Sequence, residues 1–308
     1  MKMIDSLQQS NGLQRFLTHG FIVSLLLLAL SLFMHPATAR ADAPVLTFTA
    51  IPDQDQQKLA QRFGSIADYL TETLGITVKY IPVKSYAAAV TAFRNNQVQL
   101  AWFGGLAGVR ARSLVPGSMA IAQGVEDNQF KSYFIANTST GLTANTAFPE
   151  NISGMTFTFG SKGSTSGRLM PEFYIRQYSE QSPQQLFKRV GFSGDHNRTI
   201  ALVEAGSYQL GAVNYKVWEE AVAKGKVDTD KVSVIWETPN YTDYQWTIRG
   251  DLDSRFGAGT TQNLTAALLN IRDPKLLAAF PRSGFIAASN DDYQAIAETA
   301  VELGLLRQ

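Results

Sequence analysis

The 308-residue sequence contains no cysteine. That excludes disulfides, thiolate metal sites, cysteine nucleophiles and a lipid anchor on an N-terminal cysteine. Histidine is nearly as scarce, with His19, His35 and His196 alone. Charge of one sign is also lacking. The 27 Lys+Arg against 26 Asp+Glu give +1, which is no basic footprint for nucleic acid, so no nucleic-acid partner is expected. With 11 Pro and 24 Gly the composition is neither disordered nor collagen-like. The longest apolar run, 21–33 (F-I-V-S-L-L-L-L-A-L-S-L-F), falls short of the roughly 20 residues that span a bilayer. What is present is 45% hydrophobic residues, ample for a buried core.

The apolar run follows a polar stretch carrying Lys2, Arg15 and His19, and small-x-small sites follow it at 37–39 and 39–41. Cationic start, short apolar middle and A-x-A exit predict a cleaved secretory signal over 1–41, with cleavage after Ala39 or Ala41 and export to the periplasm. An uncleaved membrane anchor is the alternative. Cleavage after Ala41 removes Lys2, Arg15, Arg40 and Asp5, which leaves the remainder slightly negative and holding one histidine, His196. A multi-histidine metal site is thereby excluded, and no metal or other cofactor is expected.

From 45 onward, β-prone runs alternate with helical periodicity. The run 45–51 stops at Pro52. Leu59, Phe63, Ile66, Leu70 and Leu74 then mark one helix face, closed by Gly75. A strand over 76–82 precedes a helix capped by Ser85 and running through Phe93. The strand over 98–103 ends in Gly104-Gly105. Further strands are predicted over 132–136, 156–160, 209–214 and 232–236, with helices over 168–178, 198–205 and 215–224. The C-terminal third is largely helical, over 261–269, 274–280 and 291–303. This alternation predicts an α/β protein with mostly parallel sheets. Turn-rich breaks at 138–154 and 237–243, the second followed by a strand-like 244–249, suggest two lobes. The first lobe takes 42–138 plus 240–308 and the second 139–239, with a cleft between them where ligands bind beyond strand ends.

The most informative segment is 157–170, F-T-F-G-S-K-G-S-T-S-G-R-L-M. A strand leads into a glycine- and hydroxyl-rich turn at a helix start, where N–H groups, hydroxyls and the helix dipole converge as an oxyanion cradle. Gly160 plus five is Thr165 and no Gly-Lys-Ser/Thr follows, so it is not a nucleotide P-loop. The bland reading is a capped loop. His196, in F-S-G-D-H-N over 192–197, lies near a second helix start. A serine hydrolase would join Ser164 or Ser166 to His196 and Asp195, but the last two are adjacent and no G-x-S-x-G elbow is present. Tyr86, Trp102 and Tyr133 fall at strand–helix junctions, as core residues or as an apolar cleft wall. Asn214-Tyr215 and Asp243-Tyr244 complete the candidates.

Taken in order behind a signal, S-Y-A-A-A-V at 85–90, A-W-F-G-G-L at 101–106, S-T-S-G at 164–167 and G-D-H at 194–196 resemble the phosphonate-binding family of periplasmic receptors for ABC transporters. The resemblance implies a type II periplasmic-binding-protein fold, two α/β lobes with a hinge. It implies that Ser164, Thr165 and Ser166, with His196 and Tyr86, hold a phosphonate-like head, and that Trp102 lines the cleft. Members that take aminoalkylphosphonates place acids against the ligand ammonium. Here the position after G-A-V is the neutral Asn214, Asp243 lies near the second acid, and Phe130 or Lys131 replaces a tyrosine. A lost carboxylate and a gained cation at Lys131 argue for an amine-free small oxyanion such as phosphite or methylphosphonate. A branch sharing S-T-S-G-R-L-M-P-E and Y-Q-W-T-I-R, which this chain resembles, is described as selenate-binding. The implied protein is a monomeric binding component, not an enzyme, whose partners are a small anionic ligand and a cognate ABC permease. A periplasmic sensor subunit of the same fold is the second reading.

Overall fold

The computed structural model describes residues 44–306, so the expected signal at 1–41 lies outside the described residues. Two sheets organise the chain. The first contains β1 (Leu46–Ala50), β2 (Val78–Tyr80), β3 (Leu100–Phe103), β4 (Met119–Gly124), β10 (Gln245–Ile248) and β11 (Phe285–Ala287), in the order β11-β4-β10-β3-β1-β2. The second contains β5 (Ser132–Asn137), β6 (Thr156–Phe159), β7 (Arg189–Phe192), β8 (Leu210–Asn214) and β9 (Val232–Glu237), in the order β7-β6-β8-β5-β9. In each sheet three neighbouring strands run parallel, β2-β1-β3 and β7-β6-β8. In each, a strand contributed by the chain as it crosses between lobes inserts antiparallel beside the third, β10 against β3 and β5 against β8. The two lobes therefore share one topology although the sequence carries no visible repeat.

Helices follow the parallel strands, as right-handed crossovers require. They are α1 (Gln56–Leu74), α2 (Tyr86–Arg94) and α3 (Gly105–Leu114) in the first lobe. In the second they are α4 (Met170–Ser179), α5 (His196–Glu204) and α6 (Tyr215–Ala223). The predicted face of α1 is the buried one: Leu59, Phe63, Ile66 and Leu70 are at most 2% exposed, and Gly75 ends the helix at φ 67°. Phe63 packs edge-on against Phe48, Trp246 and Phe280, which fixes α1 on the first sheet.

The boundary expected at 138 falls too late. Ser132–Asn137 pairs with β8 and β9, so it opens the second lobe rather than closing the first. The chain crosses over 125–131 and returns over 238–244. These two passages run side by side, Phe130 and Tyr241 each donating its N–H to the other's carbonyl at 2.8 Å. A buried ion pair braces them. Arg282 donates to both oxygens of Asp127 at 2.7 and 2.9 Å, and its guanidinium lies 5.4 Å from the Phe130 ring centroid.

Candidate functional site

The site begins with the turn after β6. Gly160 N–H donates to Gly167 C=O at 2.8 Å, closing the loop on itself. Leu169 N–H reaches back five residues to Ser164 C=O at 3.0 Å, a single π-type turn that runs into α4. Such turns often occur at functional sites, because they push backbone and side chains out of helical register. The helix expected from 168 thus starts earlier and wider. A methyl group on Gly167 would lie 3.0 Å from both His196 Cε1 and Ser164 Oγ and 3.2 Å from Gly160 Cα, so any side chain there would have to push these neighbours back by a few tenths of an ångström.

The three hydroxyls of the turn have different tasks. Ser164 Oγ accepts Gly167 N–H at 2.9 Å and caps the turn. Thr165 Oγ1 accepts Leu106 N–H at 3.0 Å, so it caps the first turn of α3 in the other lobe. Ser166 Oγ is buried with no partner among the described residues, while its carbonyl accepts the Ser132 hydroxyl at 2.8 Å.

His196 is fully buried at the start of α5. Asn214 N–H donates to its Nδ1 at 3.3 Å, which leaves the ring hydrogen on Nε2. That Nε2 has no partner among the described residues. Burial pushes the imidazole pKa down to about 4, so the ring is neutral near pH 7 and acts as a donor. Asp195 caps its own helix through Arg198 N–H at 2.8 Å and does not orient the imidazole, so the hydrolase arrangement is not formed.

The first lobe supplies Tyr86 and Asp243. Tyr86 begins α2, its Oη buried with no hydrogen-bond partner among the described residues, its ionisation pushed far up by burial and the Asp53 carboxylate. Its Cβ lies 3.1 Å from where a methyl on Gly163 would be, so it packs on the cradle. Asp243 Oδ1 accepts Gly105 N–H at 2.8 Å, while Oδ2 is buried with no hydrogen-bond partner among the described residues. Burial raises this carboxyl to about 7, against the pull of the Thr165 hydroxyl and the Gly105 N–H. An opening of about 300 Å³ lined by Tyr86, Arg110, Lys162 and Phe192 lies at the edge of the site.

The structure thus brings Tyr86, Ser164, Thr165, Ser166, His196 and Asp243 together. Asn214 adjoins them, but its side chain is occupied: Oδ1 caps α6 through Lys216 and Val217 N–H, and Nδ2 donates to Tyr244 Oη at 3.0 Å. Trp102 stands one layer back, stacked on Tyr244 with centroids 5.5 Å apart. Lys131 does not join the site. Its ammonium pairs with Glu237 at 2.6 Å on the second lobe, since the start of β5 turns it away from the cleft. One residue beyond the expected set joins the site, Asp53: the candidate Tyr244 donates its Oη hydrogen to Asp53 Oδ2 at 2.8 Å, and Asp53 C=O accepts His196 N–H at 3.1 Å across the lobes. Asp53 follows Pro52 in a loop and carries no local signal.

Two like-folded α/β lobes, two crossing passages and an enclosed polar site between them define a periplasmic-binding protein. A family model described as "ABC transporter, phosphonate, periplasmic substrate-binding protein" matches residues 48–293, and the chain belongs to that family. It is 40% identical over 294 residues to a probable ABC transporter phosphite-binding protein, PhnD1, of Prochlorococcus marinus, covering 93% of this chain and 98% of the relative. The structure of that PhnD1 in complex with methylphosphonate superposes with a TM-score of 0.82, covering 85% of this chain and 99% of the other. A binding component of an ABC phosphonate transporter from Pseudomonas aeruginosa shares the fold, at a TM-score of 0.74 and 22% identity over 85% of this chain and 87% of the other. This chain is accordingly a substrate-binding component of an ABC transporter, and its relatives are receptors rather than enzymes.

Proposed function

We propose that the chain captures a small, amine-free phosphorus oxyanion, phosphite or an alkylphosphonate such as methylphosphonate, between its lobes and presents it to a membrane permease. The carrying observation is the set of buried polar atoms that have no partner among the described residues: Ser166 Oγ and His196 Nε2 from the second lobe, Tyr86 Oη and Asp243 Oδ2 from the first. Unpaired buried donors are costly, and a bound oxyanion satisfies them. The PhnD1 relative, phosphite-binding by description and crystallised with methylphosphonate, supports this ligand class. An aminoalkyl chain is disfavoured because Asn214 is neutral and already bonded at both ends. Attraction is local, from hydroxyls, N–H groups and helix starts, since Lys131 is held elsewhere.

Binding closes the lobes by favouring the closed population, and the closed surface is what the permease recognises. Residues 1–41 act as a signal that delivers the protein to the periplasm, where its relatives function. A thermal-shift series with phosphite, methylphosphonate, aminoethylphosphonate, phosphate, sulfate, selenate and selenite tests the reading, because tight ligands raise the melting transition by mass action. Phosphite and methylphosphonate are expected to give the largest shifts. No shift with either, or a larger one with aminoethylphosphonate, contradicts it.

A further inference from the structure

The unpartnered atoms are not alike. Tyr86 Oη and Ser166 Oγ carry hydrogens, and His196 Nε2 carries one because Nδ1 is accepting from Asn214 N–H. These three donate. Asp243 Oδ2 is an acceptor. Its carboxylate is oriented: Oδ1 is fixed by Gly105 N–H, and Thr165 lies on the same side, since a methyl on Gly104 would meet Asp243 Oδ1 at 3.1 Å and Thr165 Oγ1 at 3.4 Å. A fully ionised tetrahedral oxyanion offers acceptors only. It would satisfy the donors and leave an ionised Oδ2 facing a second anion with no hydrogen between them. An oxyanion that keeps one O–H satisfies every atom of the set.

We propose that Asp243 selects the protonation state of the ligand by accepting the O–H of a singly protonated oxyanion. Hydrogen phosphite and hydrogen alkylphosphonates bring that proton with them, whereas sulfate and selenate, which hold none near neutral pH, bind only after Asp243 itself has taken one up. This rests on the phosphorus-oxyanion reading above and sharpens it against the selenate description.

The groups around Asp243 do not substitute for it. Tyr86, Tyr241, Tyr244 and Tyr293 are pushed well above their ordinary range, by burial first and by carboxylate fields second. Asp127 is countered by the Arg282 guanidinium, Asp53 accepts from Tyr244 Oη, and His196 is neutral. Gly105 N–H and the Thr165 hydroxyl complete the surroundings.

Calorimetric titrations of the signal-free protein with phosphite, methylphosphonate, sulfate and selenate, from pH 6 to pH 9 in two buffers of different ionisation enthalpy, test the proposal. At pH 9 both free partners have lost their proton, so binding phosphite is expected to take up close to one proton. Affinity should then fall about tenfold per pH unit. Sulfate and selenate are expected to bind about a hundredfold more weakly than phosphite. In Asp243→Asn the amide oxygen can still accept Gly105 N–H while its NH₂ donates to a fully ionised oxyanion, so sulfate or selenate should gain at least about tenfold relative to phosphite. Phosphite binding without proton uptake overturns the proposal alone, as does sulfate or selenate binding within about threefold of phosphite in the unaltered protein. An Asp243→Asn protein with unchanged selectivity does the same. The proton count needs no variant, so a misfolded Asp243→Asn leaves the test intact. Failure of phosphite and methylphosphonate to bind at any pH overturns the ligand reading, and this inference with it.

Discussion

Thr165 Oγ1 accepts Leu106 N–H at 3.0 Å, so a side chain of the second lobe caps the first helical turn after β3 in the first. The bond exists only when the lobes are together. In an open protein water serves both groups, so removing the hydroxyl penalises the closed state alone. Thr165→Ala leaves a buried N–H unsatisfied, at about 1–3 kcal/mol. Methylphosphonate affinity should fall about 5- to 150-fold by calorimetry, with Thr165→Ser restoring most of it. Equal affinities would show that the cap does not couple closure to binding.

His196 predicts a stability–pH slope. Its folded pKa is about 4, below the ordinary value near 6.5, because burial disfavours the charged ring. The unfolded chain binds the proton first, so this contribution is complete above pH 6.5 and is lost as pH falls towards 4. The loss amounts to about 3 kcal/mol. Asp243, raised to about 7, has the opposite sign: its contribution is complete below pH 4 and is lost as pH rises through 7. Melting curves of unliganded Asp243→Asn should therefore show a steeper fall below pH 6.5 than the unaltered protein and a higher midpoint at pH 8. Superimposable profiles would refute both shifts.

Breaking the Asp127–Arg282 pair should be severe. Both side chains are buried, Arg282 covers the Phe130 and Tyr244 rings, and the pair braces the crossing passages. Arg282→Ala abandons a buried carboxylate, at about 3–5 kcal/mol. Denaturant unfolding should lose about that much, whereas a loss below about 1 kcal/mol would show that the passages hold without the pair.

The part-buried clasp across the lobes should matter little. Lys58 Nζ meets Glu220 Oε2 at 2.6 Å, but Lys58 is one-third exposed and Lys224 also pairs with Glu220. Lys58→Ala should change methylphosphonate affinity by less than about fivefold, and 0.5 M salt should erase the difference. A larger or salt-resistant change would make this contact a true latch.

Local chemistry was legible wherever it was self-contained. The β-branched and aromatic runs at β1, β6 and β9, the face of α1 and the S-T-S-G turn each announce themselves over a few residues. Strand β4, M-A-I-A-Q-G, does not, because alanine and glycine have little strand preference and its pairing partners β10 and β11 lie more than a hundred residues away. Helix α3 opens on glycine, a poor helix former, and is nucleated by caps from Asp243 and Thr165 that no local window contains. The lobe boundary was misplaced for the same reason: β5 follows the first lobe in sequence but finds its partners at 210–214 and 232–237. In the site, Tyr86, Ser164, Ser166 and His196 sit in readable motifs. Asp53 acquires its place through Tyr244, 191 positions away. Lys131 looked like a site cation because its neighbours in sequence are site residues, yet strand alternation sends it to Glu237.

The donors of the cleft that have no partner among the described residues exist for the ligand. Ser166→Ala tests this most directly, because the hydroxyl it removes has no partner within the described protein. Calorimetric titration with methylphosphonate should show affinity reduced about 10- to 150-fold while the unliganded melting temperature is undiminished. Equal affinity in the two proteins would contradict the account.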